Sequence, residues 1–192
     1  MESFWVSTGV VALAEMGDKT QLLAFLLAAR FKRPVPIIAG IFLATIVNHG
    51  LAGALGVWIT TTLSPQIMRW VLGISFLAMA AWTLIPDKIK DEESSMTTRF
   101  GVFGATLVTF FLAEMGDKTQ VATVAMAAHY QDAWKVVAGT TLGMMIADVP
   151  AVFLGDKLSA KLSLKWLHAA AALVFAALGV ATLMGAGERI GL

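Results

Sequence analysis

Four acidic residues stand where an apolar chain should exclude them. Glu15 and Asp18, then Glu114 and Asp117, belong to two copies of Glu-Met-Gly-Asp-Lys-Thr-Gln, identical letter for letter at 15–21 and 114–120, a shift of 99 residues. Each copy begins about a dozen residues into a long apolar segment, which at ~1.5 Å rise per helical residue is close to the middle of a bilayer. A carboxylate at that depth is unfavourable by ~2.5 kcal/mol or more even on lenient insertion scales, so intramembrane acids are functional by default. Structural salt bridging is the weaker reading, because the whole motif is duplicated.

The spacing indicates the chemistry. Residues three apart share a helical face, so Glu15 and Asp18 form a carboxylate stripe that Gln21 extends by a turn, and Glu114, Asp117 and Gln120 repeat it. If the two motif helices cross near a twofold axis, four carboxylates and two amides converge on an oxygen-rich cage, the donor set of a hard divalent cation such as Mn²⁺ or Ca²⁺. Gly17 and Gly116 allow either close helix approach or local unwinding that frees backbone carbonyls. Lys19 and Lys118 follow the glutamates by four residues, the spacing for an ion pair within each motif, or else snorkel or line the pathway. Thr20 and Thr119 are hydroxyl ligands or bond back to their own helix. Met16 and Met115 are assigned to packing.

Four carboxylates and two ammonium groups sum to −2, which one divalent cation neutralises. Once the ion leaves, the crowded carboxylates favour protons, and ion and protons compete for the same groups. That competition is the physical core of an antiporter. Asn48 and His49 lie in the next apolar segment, and the 99-residue shift takes His49 to Asp148, beside Pro150. These three are expected to flank the site: Asp148 as a buried carboxylate that needs a partner, His49 either as a ligand or relay or as an imidazole satisfied by a neighbouring group.

The elements that must hold these residues are membrane helices. The 192-residue chain is 58% hydrophobic and 14% charged, with mean hydropathy +0.77. Six apolar stretches of about 20 residues or more recur, at 4–29, 35–61, 67–85, 100–128, 134–155 and 164–186. All six tryptophans fall near the ends of these stretches, where an indole rests between lipid and headgroups. The first stretch carries Glu15, Asp18 and Lys19 and has no basic leader, so it is expected to remain in the mature protein.

The 99-residue shift also pairs Phe4 with Phe103, Gly40 with Gly139 and Phe76 with Phe175. Three helices per half is an odd number, so the halves enter the membrane from opposite faces. The expected fold is an all-α integral membrane protein of six transmembrane helices in two inverted-topology three-helix repeats, at 1–86 and 100–192, joined by a cytoplasmic acidic linker at 87–99. Nine of the 14 Lys and Arg residues then lie in cytoplasmic connections and three outside, which puts both termini on the non-cytoplasmic side.

No cysteine is present, which removes disulfides, thiolate ligands and cysteine nucleophiles. A net charge of +1 without a basic tail excludes nucleic acid as a partner. No catalytic signature appears, and no resident cofactor is expected; the partners are a divalent metal ion and the lipid bilayer. A bundle this small is suited to forming a homodimer, although no interface is legible in the sequence.

Two copies of E-x-G-D-[KR]-[ST], each opening a three-helix repeat and separated by an acidic loop, resemble the MneA-type family of manganese and calcium cation/proton antiporters. The resemblance covers nearly the whole chain and falls on Glu15, Gly17, Asp18, Lys19 and Thr20, and on Glu114, Gly116, Asp117, Lys118 and Thr119. It implies export of Mn²⁺, with Ca²⁺ as the alternative, from the cytoplasm in exchange for protons. It also implies a multi-pass protein of the bacterial inner membrane. The competing readings are a six-helix exporter of small metabolites of the amino-acid type, which needs fewer midplane carboxylates, and a passive divalent-cation channel.

Overall fold

The structure is a computed structural model that describes residues 1–84, 101–154 and 164–185. Among the described residues all regular structure is helical: α1 (Glu2–Glu15), α2 (Lys19–Phe31), α3 (Pro34–Thr62), α4 (Pro65–Thr83), α5 (Gly101–Glu114), α6 (Lys118–Tyr130), α7 (Ala133–Leu154) and α8 (Leu164–Leu183). The expected linker at 87–99 lies outside the described residues.

The helix starts follow local chemistry. Proline opens α3 and α4 at the first turn, where its missing N–H is no loss. The Ser64 hydroxyl accepts from the Ile67 N–H, and Asp132 caps α7 by accepting from the Lys135 N–H at 3.2 Å. The Lys135 ammonium, 2.5 Å from the other Asp132 oxygen, helps hold that exposed carboxyl below the usual carboxylate range.

Among the described residues, two helices are long and apolar enough to cross a membrane: α3, and α7 over Ala133–Phe153. Exposed Phe42, Ile46, Leu51, Trp58 and Trp134 cover their outer surfaces, an apolar coat that suits lipid. The stretches expected as single spans at 4–29 and 100–128 are instead each divided into two helices, α1/α2 and α5/α6. At each division a glycine takes the left-handed conformation, Gly17 at φ 85° and Gly116 at φ 74°, which a helix cannot continue through. The choice between close approach and unwinding is therefore resolved as unwinding.

The halves interlock. Helix α1 packs chiefly on α7 and α5 on α3, so the first helix of each half lies against the third of the other. Helix α3 also meets α6 and α7 meets α2, while α4 and α8 pair with each other. Exchanging the halves maps these pairings onto one another.

The crossings are close because glycines stand in them. A Cβ at Gly40 would lie 2.8 Å from the Thr106 Cβ and 3.0 Å from the Phe103 carbonyl oxygen. At the equivalent Gly139 it would press on the Phe4 carbonyl oxygen and stand 3.1 Å from the Ser7 Cβ. Small residues let backbones approach where lipid supplies no hydrophobic drive between helices.

Gly139→Val should therefore force α1 off α7 and lower the free energy of unfolding in mixed micelles by about 1–3 kcal/mol, the usual cost of overpacking. Gly50→Ala, at a glycine with open space beyond it, should change stability by less than ~0.5 kcal/mol. Equal melting curves for the two variants would show that the α1–α7 crossing is not tight.

Candidate metal centre

Both motifs sit at the helix breaks, and the breaks are built alike. Glu15 is the last residue of α1 and Asp18 caps the start of α2; Glu114 and Asp117 hold the same places on α5 and α6. Within the turn the Asp18 N–H donates to the Glu15 carbonyl at 3.0 Å, and the Asp117 N–H to the Glu114 carbonyl at 3.1 Å. The acidic residues thus lie across a break and do not form the continuous stripe on one helical face that their spacing suggested.

Gln21 and Gln120 brace these turns. Each amide oxygen accepts the N–H of the preceding glycine, Gly17 or Gly116, at 2.8 Å. The Gln21 amide nitrogen donates to the Ala147 carbonyl of α7 at 2.8 Å, and that of Gln120 to the Asn48 side-chain oxygen of α3 at 3.4 Å. Asn48 in turn donates to the Phe111 carbonyl at 3.0 Å. In this geometry the glutamines, offered by the sequence as cage oxygens, tie each break to the third-position helix of the other half.

The threonines orient the glutamates. Thr20 donates through its hydroxyl to Glu15 Oε2, and Thr119 to Glu114 Oε2 at 3.2 Å. The other oxygen of each glutamate, Oε1, has no hydrogen-bond partner among the described residues, and neither has Asp117 Oδ2. Glu15, Glu114 and Asp117 each bring one carboxylate oxygen to within 4.8 Å of the others, and all three residues are buried. Three converging carboxylate oxygens, in a cluster where one oxygen of each residue has no hydrogen-bond partner among the described residues, form an electronegative cradle for a cation.

The lysines pair otherwise than their spacing suggested. Lys118 Nζ lies 2.7 Å from Asp18 Oδ1 with both side chains fully buried, and Lys19 Nζ lies 3.1 Å from Asp117 Oδ1. Each lysine thus crosses to the aspartate of the other half. The i, i+4 geometry fails because Lys19 and Lys118 start new helices after the break, and no continuous turn carries them back over Glu15 or Glu114.

His49 and Asp148 are wholly buried at equivalent positions on α3 and α7. Neither ring nitrogen of His49 and neither oxygen of Asp148 has a hydrogen-bond partner among the described residues. The charges of Glu15, Asp117, Asp148 and Asp18 all act on Glu114, so these carboxylates share one electrostatic neighbourhood. Sequence reasoning passed over Ser7, Thr45 and Thr141, three buried hydroxyls whose oxygens also lack partners. Nothing in their residue type singles them out from threonines that bond back to their own helix, as Thr109 and Thr123 do.

Removing one member of the dry pair should be costly. Lys118→Met removes the buried ammonium 2.7 Å from Asp18 and should destabilise the fold by about 3–5 kcal/mol, whereas the Asp18→Asn/Lys118→Met double variant should recover most of that loss. Thermal unfolding in detergent reads both; a single variant as stable as the parent would show that water reaches the pair.

The model of the family described as "Divalent cation/proton antiporter GDT1" matches residues 3–91 and 102–189. A Vibrio cholerae protein named "Putative manganese exporter" is 52% identical over 92% of this chain and 88% of its own length. A Synechocystis "GDT1-like protein" is 27% identical over 91% and 93%, and the Saccharomyces cerevisiae "Divalent cation/proton antiporter GDT1" is 26% identical over 91% and 81%. No solved structure matches the chain. With the family model matched on both sides of the central linker and along nearly every described helix, this chain belongs to the divalent cation/proton antiporters of the GDT1 family, which are transporters and not enzymes.

Proposed function

We propose that this protein exports Mn²⁺ from the cytoplasm of a bacterium across the inner membrane, in exchange for protons, with Ca²⁺ as the alternative cargo. The observation that carries the reading is the buried convergence of Glu15, Glu114 and Asp117, oxygens from both halves within 4.8 Å. An all-oxygen set of this kind suits Mn²⁺ and Ca²⁺ alike. The preference for Mn²⁺ is supported by the name of the 52% identical Vibrio cholerae relative.

In this reading α1/α2 and α5/α6 each form one interrupted span, and α3, α4, α7 and α8 complete six. The halves at 1–86 and 100–192 are inverted relative to each other, with both termini outside. Support comes from the exchange of helix pairings between halves and from the lysine and arginine bias.

The residues divide the work. Thr20 and Thr119 hold one oxygen of each glutamate, and the unpartnered Oε1 atoms remain for the ion. Lys118 and Lys19 offset the charge of Asp18 and Asp117, which limits the repulsion within the empty site. A divalent cation neutralises the rest; when it departs, protons take its place on the same carboxylates, and this mutual exclusion couples the two fluxes.

Proteoliposomes carrying an internal pH dye test the proposal. An imposed proton gradient should drive Mn²⁺ uphill with proton counterflow, and Glu15→Gln or Asp117→Asn should each cut flux by at least about 100-fold, the scale of losing a directly engaged charged group. Wild-type rates in both variants would defeat the site assignment. Downhill Mn²⁺ flux that no proton gradient can reverse would mark a channel instead.

A further inference from the structure

The two motifs are identical, yet their four acids are not equally placed to meet an ion. Asp18 is held by Lys118 at 2.7 Å, and neither side chain has any exposure. Asp117 meets Lys19 through Oδ1 at 3.1 Å, with the lysine 17% exposed, and the same carboxylate brings an oxygen into the triad with Glu15 and Glu114. One aspartate therefore lies in a fully buried ion pair, and its twin contributes an oxygen to the cradle.

The missing fourth group stands on α7. Asp148 is fully buried, and neither of its oxygens has a hydrogen-bond donor among the described residues. Its neighbour Ala147 is fixed to the α1/α2 break by the 2.8 Å bond from Gln21, and α7 is the main packing partner of α1, which ends at Glu15. Asp148 acts electrostatically on Glu114 and is itself acted on by Glu15, so it lies within charge–charge reach of the triad, although outside the 4.8 Å cluster itself. A dry carboxylate with no donor is either protonated or paired with a cation, and the charge that acts on Asp148 is that of another acid, Glu15. A cation shared with Glu15 would satisfy it.

We propose that Asp148 is a ligand of the transported divalent cation, so that the ion is held by Glu15, Glu114, Asp117 and Asp148 and not by the symmetric four acids of the two motifs. The inference rests on the transport reading above and makes it more specific. The equivalent position on α3 is His49, a neutral-capable imidazole, so exchanging the halves cannot reproduce this ligand set with carboxylates alone. The two faces of the transport cycle are then chemically different, although the motifs are the same.

The test uses the full chain in detergent, with Mn²⁺ binding followed by calorimetry and by the Mn²⁺-induced rise in melting temperature. Asp148→Asn should melt no lower than the wild type without metal, because it removes an unpaired charge, and should weaken Mn²⁺ binding by more than the roughly 10–100-fold typical of outer-shell changes. Asp132→Asn, at an exposed carboxylate paired with Lys135 and outside the cradle, should bind Mn²⁺ within about threefold of wild type, far less than any ligand loss. Unchanged binding in Asp148→Asn, or an equal loss in Asp132→Asn, would overturn the assignment. Asp148→Ser serves the same comparison if Asp148→Asn is not monodisperse. Binding that Asp148→Asn loses, in a protein without proton-coupled flux, would support the ligand set while sinking the transport reading; absence of Mn²⁺ binding by the wild type would overturn both.

Discussion

A carboxylate taken out of water must find a positive partner, and this chain buries Glu15, Asp18, Glu114, Asp117 and Asp148 in one neighbourhood. Among the described residues, Lys19 and Lys118 each form an ion pair across the interface between halves, so the aspartate of one half is balanced by the lysine of the other. Charge balance is consequently shared across the assembled bundle. What remains unbalanced is a cluster of oxygens whose natural complement is a dication or protons.

The cluster exists because the helices stop there. Left-handed Gly17 and Gly116 end α1 and α5, and the glutamine four residues on closes each turn against the freed glycine N–H. Interruption at depth is tolerated only where backbone polar groups are satisfied inside the protein, and here the side chains of Gln21 and Gln120 also reach Ala147 and Asn48 on the opposing helices. The break therefore serves two purposes. It turns the glutamates toward one another and ties each motif to the helix that carries Asp148 or His49.

Close packing supports that exchange. Glycines at equivalent positions 40 and 139 bring the backbones of α3 and α5, and of α7 and α1, into contact. The pairing of α1 with α7 and α5 with α3 gives the two halves one interlocked core, so a displacement of either motif helix is felt by the other half. The twofold likeness of the packing contrasts with the unlike chemistry at 49 and 148, where histidine stands opposite aspartate.

Much of this was legible in the residues alone. A letter-for-letter repeat of 15–21 at 114–120 is a local fact of the sequence, and so is an acidic residue within an apolar stretch; both mark the site without coordinates. The helical character of the fold follows from hydropathy in the same way. What depended on tertiary structure was every relation across the two halves. Spacing suggested that Lys19 faced Glu15 and that Gln21 continued a stripe of ligands, because spacing assumes an unbroken helix. Glycine alone was compatible with either a tight crossing or a break, and only the packing of α2 and α6 against the opposite third helices decided for the break. That same packing determined which lysine met which aspartate and which buried oxygens were left without a donor, since both depend on distances between segments about a hundred residues apart.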